Sequence, residues 1–462
     1  MTVTPALTAP NDLLPYETGT RGETGRAAFV LRPGNTVEAA RMMADCVVKG
    51  IRVVPQGANT GLVGGSVPDA SGVQAVMSTD RLHTAPVIDP VERTATVTAG
   101  TRLSALNAAA EPYGLHFPID LGADPMLGGM IATNTGGARF LRYGDVRRRT
   151  LGLTVVLPDS EGTTLKLGGL RKDNSGIDWK QLFIGTGGVF GLVTEAVIDL
   201  ASIPRQTAVA LIVPSASSAV TRLLVALEQS FGDTLSAFEM MSGAAIRAAI
   251  DHVPSLRSPF PGTIPEIVLL VEIAFSHERF PAEPSLDEVF QTSLENQWET
   301  EPDLIEDALF GPPETFWALR HTISEGVRHA GRLVAFDLGF KRGAVMGFRD
   351  AVCNRLDEFD PDLKVYDFGH VGDGGLHLNL VLPRGETRPQ DWEDRLRDVI
   401  VDLARAHGGS FSAEHGIGAK NQRFYDTHTH PLAMRLADGI ADTLNLAPMG
   451  AFRLGTPPEI ST

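Results

Sequence analysis

Two stretches in the last quarter of the chain hold side chains that could do chemistry. The first reads Phe368-Gly369-His370-Val371-Gly372-Asp373-Gly374-Gly375-Leu376-His377-Leu378-Asn379-Leu380. The second reads Gly408-Gly409-Ser410-Phe411-Ser412-Ala413-Glu414-His415-Gly416-Ile417-Gly418. His377 and Asn379 alternate with leucines, so a strand puts both on one face. His370 lies across a glycine turn from them. Two imidazoles and the carboxylate of Glu414 make a three-ligand set that leaves one coordination position for water or substrate. Zinc is the first expectation; manganese or iron would accept the same donors. His415 is either a fourth ligand or a free base. Arg320 falls on a predicted helix, as a solvated charge or as a bidentate clamp for a substrate carboxylate. His83 and His277 stand alone and read as ordinary structural residues, and His428 and His430 sit in a polar segment that rarely builds a closed metal site.

These residues need a partner that the first two hundred or so residues supply. Directly after the apolar Ile51-Arg52-Val53-Val54 comes Pro55-Gln56-Gly57-Ala58-Asn59-Thr60-Gly61-Leu62-Val63-Gly64-Gly65-Ser66. Glycine permits φ > 0 and close approach of backbone N–H groups to a ligand. Asn59, Thr60 and Ser66 add neutral donors, and no lysine or arginine is present. The spacing is neither a Rossmann fingerprint nor a P-loop. A second block spans Gly122, Ala123, Asp124, Gly128, Gly129, Thr133, Asn134, Gly136 and Gly137, followed by a basic island of Arg139, Arg142 and Arg147 to Arg149. A third holds Gly185, Gly187, Gly188 and Gly191 and leads into a strand starting at Val193. Three such blocks, spaced by strands and helices, point to loops converging on one extended anionic cofactor such as a dinucleotide. Beyond Thr207 the glycine density falls, and a second α+β domain with antiparallel strands and helices on one face is expected.

At 462 residues the chain exceeds one ordinary core, so two or three domains are expected. A net charge of −16 disfavours nucleic acid and anionic membranes as partners. Cys46 and Cys353 form no Cys-x-x-Cys pair, which argues against a disulfide framework and for reduced, cytoplasmic residence. Met1 to Asn11 lacks the pattern of a signal peptide. No apolar run reaches the roughly 18 residues of a membrane span.

Together these blocks resemble the vanillyl-alcohol-oxidase superfamily of FAD flavoproteins, in the branch of D-lactate and D-2-hydroxyglutarate dehydrogenases. The matching stretches are Pro55 to Val67, Gly122 to Gly137 with Leu141-Arg142-Tyr143-Gly144, Phe183 to Glu195, Gly369 to Asn379, and Gly409 to Gly418, in the family's order. The resemblance implies an α+β fold. A two-subdomain FAD-binding domain would occupy residues 1–203 and a substrate or cap domain with an antiparallel sheet residues 204–425. A C-terminal segment, 426–462, would pack back on the FAD domain. It implies noncovalent FAD, with Pro55, Gly57, Ala58, Asn59, Thr60, Gly61, Gly64, Gly65 and Ser66 around the pyrophosphate. Gly122, Ala123, Asp124, Gly128, Gly129, Thr133, Asn134, Gly136 and Gly137 would follow the flavin and ribityl chain. Gly188, Gly191 and the Val193 backbone would lie near the ring. It further implies His370, His377 and Glu414 as ligands of a divalent metal and His415 as the general base. Arg320, Ser324 and Asn379 would touch the substrate.

The implied reaction oxidises an (R)-2-hydroxy acid to the 2-oxo acid. His415, with an ordinary pKa of about 6.5, takes the hydroxyl proton, and hydride passes to flavin N5. The family's D-2-hydroxyglutarate members carry a lysine near what is here Ala335, so a monocarboxylate such as D-lactate or D-mandelate is favoured. D-2-hydroxyglutarate is the alternative, with Lys341 or Arg342 holding its second carboxylate. A flavoprotein that has lost turnover is a further alternative, which the retained ligands and base oppose. Gly187 stands where relatives often carry glutamate, and the terminal Asn-Pro-Gly-Lys of many relatives is missing. A quinone, a cytochrome or an electron-transfer flavoprotein is the expected electron acceptor, and a homodimer is a compatible assembly.

Overall fold

The computed structural model describes residues 6–458. Part of the stretch read as lacking a signal peptide therefore lies outside the described residues. The chain forms two compact units. One holds Met1–Gly137, Gly144–Ile203 and Glu414–Thr462; the other holds Ala138–Tyr143 and Pro204–Ala413. The return to the first unit falls at Glu414, where the sequence placed a boundary at 426, and a six-residue excursion at 138–143 belongs to the second.

Among its described residues the first unit contains a two-stranded pair, Leu115–His116 with Ala201–Ser202, and two larger sheets. A parallel one has the order Ala27–Leu31, Gln74–Ser78, Val53–Gln56. Its crossover helix, Thr36–Val48, is capped by Asn35, whose side chain accepts from the Glu38 N–H at 2.9 Å. The central strand is buried along its whole length, as expected for parallel pairing covered on both faces. The other sheet is antiparallel, in the order Val87–Asp89, Thr94–Thr98, Leu192–Asp199, Thr150–Val156, Thr164–Gly168.

The C-terminal segment closes on the parallel sheet. Met449 bridges to Val53, and Arg52 donates to the carbonyls of Gly450 (2.9 Å) and Phe452 (3.1 Å). The Phe452 ring packs where a Cβ on Gly187 would stand, and Gly187 has φ +61°. A larger side chain at position 187 would therefore meet the terminal aromatic.

The second unit is built on an antiparallel sheet. Its order is Ile305–Phe310, Gln206–Pro214, Ile267–Phe275, Leu235–Ser242, Phe368–Gly369, Gly375–Leu382, Arg332–Gly339. Helices cover both faces, which corrects the expectation of helices on one face. Ala208, Ala210 and Ile212 pack with helices Ala219–Phe231, Leu286–Thr300, Val345–Phe359 and Trp392–Ala406. The alternate residues Val209, Leu211 and Val213 pack with helices Gly243–His252 and Pro313–Ala330. The reason is visible in the strands, whose apolar runs do not alternate with polar residues; Ile267–Phe275 is buried at every position but the last.

The basic island is divided by this architecture. Arg139 forks onto the buried Glu272 (2.8 and 2.9 Å), and Arg142 donates to Ala274 O and to Ser276 Oγ. Arg147 donates to Ile184 O (2.7 Å) and Arg149 pairs with Asp199 (2.8 Å) in the first unit. These arginines hold segments in place rather than forming an open anion patch.

Replacing Gly187 by glutamate should destabilise the protein by about 1–3 kcal/mol, from the left-handed backbone and the clash with Phe452. Thermal or denaturant unfolding of the FAD-loaded protein reads this; an unchanged midpoint would refute the packing role of Phe452.

Candidate active site

The first glycine loop leaves the parallel sheet at Gln56. Its curvature is set by Asn59, at φ 56°, and Gly64, at φ 69°. Asn59 donates to Thr18 O (2.8 Å) and accepts from Ser66 Oγ (2.9 Å). Gln56 donates to Tyr16 O (2.9 Å) and Ser66 O (2.8 Å). The side chains of Asn59 and Ser66 thus brace the loop. Among the described residues, no backbone N–H from Ala58 to Ser66 donates to a protein acceptor. Unpaired, partly buried N–H groups are costly unless something accepts from them, and a phosphate does so well.

The glycines of the three blocks divide by what surrounds them. Cβ atoms on Gly61, Gly122 and Gly129 would meet open space, and one on Gly57 would only touch Met126 (3.5 Å) beside Gly129. These positions fit a cradle. Gly128 is different: its Cβ would fall 2.6 Å from that of Ala99. Gly188, at φ 78°, faces Pro55 (2.6 Å to Cγ) and Gly191 faces Val155 (2.6 Å to Cγ1). Gly137 lies against Asp120 O. Those glycines bring the loops together. Asp124 accepts from Ser104 N (2.9 Å) and Oγ (2.8 Å), and Asn134 bonds Asp145 (2.8 Å) and Arg147 N (2.8 Å), so both hold the second block's shape. Thr133 donates to Gly129 O (3.0 Å), Ala123 is exposed, and Val193 is buried in its strand. Glu414 stands beside the same block, where a Cβ on Gly136 would lie 2.5 Å from its Oε1. His415 is half-buried in the bend before the helix Gly418–His428.

In the second unit His370 and His377 come together. Their Nε2 atoms lie 3.4 Å apart with rings at 83°. Each Nδ1 faces a buried carboxylate: His370 meets Glu239 Oε1 at 2.6 Å, and His377 meets Asp337 Oδ1 at 3.5 Å. The carboxylate at 2.6 Å favours Nδ1–H on His370, and the same tautomer on His377 would turn both Nε2 lone pairs toward one point. Nitrogens each about 2.0–2.1 Å from a tetrahedral zinc would be about 3.3–3.4 Å apart, so the pair fits one ion. Burial pushes the His377 pKa down, with the neighbouring His370 adding to it against the opposing pull of Asp337, which suits a neutral ligand.

Asp337 also accepts from the Ala413 N–H, through its carbonyl (3.2 Å) and Oδ2 (3.1 Å). The next residue in the chain is Glu414, so the backbone leading to it is tied to the partner of His377.

Arg320 is 6% exposed, not a solvated charge. Its Nε and Nη2 reach Glu239 Oε2 at 2.9 and 2.6 Å, and its guanidinium lies over Phe368, 4.7 Å from the centroid. Glu239 is 1% exposed; burial alone would raise its pKa, but His370 and Arg320 prevail and hold it down at about 2. Asn379, also buried, donates to Tyr366 O (3.2 Å) and His377 O (3.3 Å), while Ser324 is exposed one helical turn beyond Arg320. Glu239 and Asp337 were missed in the sequence. The available signal was an isolated carboxylate inside an apolar strand, in Ala237-Phe238-Glu239-Met240 and Ala335-Phe336-Asp337-Leu338. His430 is an N-cap, accepting from the Leu432 N–H, which accounts for it without a metal.

Among solved structures the fold matches p-cresol methylhydroxylase, at a TM-score of 0.74 and 14% identity over 99% of this chain and 95% of that one. Alkyldihydroxyacetonephosphate synthase matches at a TM-score of 0.66 and 15% identity, over 88% of this chain and 77% of that one. The architecture is the vanillyl-alcohol-oxidase type. Residues 27–168 match the FAD binding domain family, and residues 203–445 match the FAD linked oxidases, C-terminal domain. A probable mitochondrial D-2-hydroxyglutarate dehydrogenase of Oryza sativa subsp. indica is 33% identical over 85% of this chain and 69% of its own. The mitochondrial D-2-hydroxyglutarate dehydrogenase of Rattus norvegicus is 33% identical over 89% and 75%. A putative mitochondrial D-lactate dehydrogenase of Schizosaccharomyces pombe is 33% identical over 87% and 76%. The chain belongs to this family of FAD-dependent oxidoreductases, in the branch of the D-2-hydroxyacid dehydrogenases. No helix among the described residues is long and apolar enough to cross a membrane.

The two kinds of glycine are separable by substitution. Gly61→Leu should weaken FAD binding at least about tenfold while leaving the apoprotein's melting temperature unchanged. Gly188→Ala should lower that temperature first. Flavin fluorescence titration alongside thermal melts checks both; a Gly61→Leu protein with unaltered FAD affinity would remove the loop from the cradle.

Proposed function

We propose that the protein oxidises D-2-hydroxyglutarate to the 2-oxo acid, using FAD and a divalent metal, with zinc first among candidates. The carrying observation is the pair of converging Nε2 atoms, each imidazole backed by a carboxylate, with Arg320 on the same Glu239. The names of the relatives favour the dicarboxylate over D-lactate or D-mandelate. Bound in their sites, FAD supplies the hydride acceptor and the metal a Lewis acid that lowers the pKa of the substrate hydroxyl.

The chain's own residues do the rest. His370, His377 and Glu414 hold the metal; the last is supported by its chain link to Ala413, which is bonded to Asp337. His415 accepts the hydroxyl proton. Arg320 binds the carboxylate next to the reacting carbon, with Nη1 outside its bonds to Glu239, and Asn379 and Ser324 flank the substrate. Pro55 to Ser66 and Gly122 to Gly137 hold FAD noncovalently through backbone amides, with Gly188, Gly191 and Val193 behind the ring. For the second carboxylate, Arg342 is engaged by Glu228, whereas Lys341 is exposed, so Lys341 is the better candidate. Ala335, opposite Asn379 in the sheet, remains the one feature that favours a monocarboxylate. Two free cysteines fit a reducing compartment, the cytoplasm included.

Anaerobic bleaching of the flavin by a panel of D- and L-2-hydroxy acids tests the reading. D-2-Hydroxyglutarate should give the highest kcat/KM, chelation should abolish turnover, and zinc should restore it. Arg320→Met should lower kcat/KM about 10–100-fold for every substrate, as the loss of a charge-assisted pair. Lys341→Ala should lower it only for the dicarboxylate. Turnover that survives verified metal removal would sink the metal role, and a flavin bleached faster by D-lactate would overturn the substrate assignment.

A further inference from the structure

We infer that Glu239 is a positioning residue that couples the metal ligand His370 to the substrate clamp Arg320, so that metal affinity and substrate affinity are set through one shared carboxylate. The inference rests on the proposed roles of His370 and Arg320.

Glu239 stands in the middle of the strand Leu235–Ser242, in which every residue is buried. Its two oxygens are divided. Oε1 meets only His370 Nδ1 in the described bonds, at 2.6 Å; Oε2 takes Nε and Nη2 of Arg320, at 2.9 and 2.6 Å. One arginine would suffice to neutralise a buried carboxylate, so charge balance alone does not require the second contact. The strand Phe368–Gly369 pairs beside Glu239, with Gly369 opposite Met240, and Phe368 lies under the guanidinium. Neither partner can slide away from the carboxylate without displacing this packing.

The coupling follows from how one carboxylate serves two donors. A cation on His370 Nε2 polarises the ring and strengthens Nδ1–H···Oε1. That draws negative charge from Oε2 and frees Arg320 for an incoming carboxylate. Linkage makes the effect reciprocal: whatever draws Arg320 off Glu239 strengthens the donor power of His370. Amide replacement breaks the arrangement in a definite way. Arg320 requires an acceptor, so the Glu239→Gln carboxamide must turn its oxygen to the guanidinium and its NH2 to His370. Nδ1 would then have to accept, which moves the proton to Nε2 and removes the metal's lone pair.

The test measures zinc affinity on FAD-loaded protein stripped of metal, by competition with a chromophoric chelator and with no substrate present. Glu239→Gln is expected to bind zinc about 10–100-fold more weakly than the parent. Arg320→Met, which alters no proposed ligand, is expected to bind zinc about fivefold or more tightly. In the Glu239→Gln background Arg320→Met should tighten zinc binding clearly more than in the parent, because the carboxamide oxygen is then free to turn to His370. Should Glu239→Gln yield no FAD-loaded protein, Glu239→Asp replaces it: too short to reach both partners, it is expected to show weakened zinc binding and a reduced Arg320→Met effect. Steady-state kinetics of Glu239→Gln should show KM raised and kcat lowered together, whereas a purely structural role would lower only the melting temperature. Zinc affinity within twofold of the parent, or an equal Arg320→Met effect in both backgrounds, overturns the coupling while leaving the proposed reaction intact. If the parent itself takes up no zinc, the metal reading falls and the coupling with it.

Discussion

Two imidazole Nε2 atoms that lie 3.4 Å apart in a protein interior need a proton or a cation between them. Much of the second unit is arranged to hold that geometry. The glycine turn after His370 lets two short strands reverse within a few residues, with His370 O accepting the N–H groups of Asp373, Gly374 and Gly375. Leu376, Leu378 and Leu380 bury the opposite face of the histidine strand in the helical layer. Two buried carboxylates fix the outer nitrogens. Each is an expensive group to bury, and each is held by more than its histidine: Glu239 by Arg320, Asp337 by the Ala413 N–H. The site is therefore a network in which the groups beside the two histidines also bind the backbone and the arginine.

The first unit meets a different constraint. A pyrophosphate can be held by backbone amides only if the loop has no side chains in the way and keeps its shape without using those amides internally. The loop from Gly57 to Ser66 meets the second condition, because side chains of Gln56, Asn59 and Ser66 do the internal bonding. Glycine serves two purposes in such a unit. At Gly61 and Gly129 it leaves room for a ligand; at Gly128, Gly188 and Gly191 it lets one segment of the protein touch another. Gly187 belongs to the second kind, since Phe452 occupies the place of its side chain.

Substrate choice is where local chemistry and kinship pull apart. Ala335 lies directly across from Asn379, where a lysine would give the site a second cation. The relatives named for D-2-hydroxyglutarate are nonetheless similar along most of the chain. A distal carboxylate can be met from any element that reaches it, so the absence of one lysine does not fix the class of substrate.

Much of this was legible in the chain alone. Alternation placed His377 and Asn379 on one strand face, and both lie in the strand Gly375–Leu382. Glycine density marked the loops in which Gly61, Gly122 and Gly129 stand in open space. What the sequence could not carry was partnership. Glu239 is separated from His370 by 131 residues and from Arg320 by 81, and no local pattern marks a carboxylate that will meet them. The same limit hid the second helical layer on the sheet and the division of the glycines between cradle and packing. Residue type and spacing determined which groups were available for chemistry; the tertiary structure alone decided which of them are paired, because burial and distance between remote segments set the cost of leaving a charge or a lone pair unmatched.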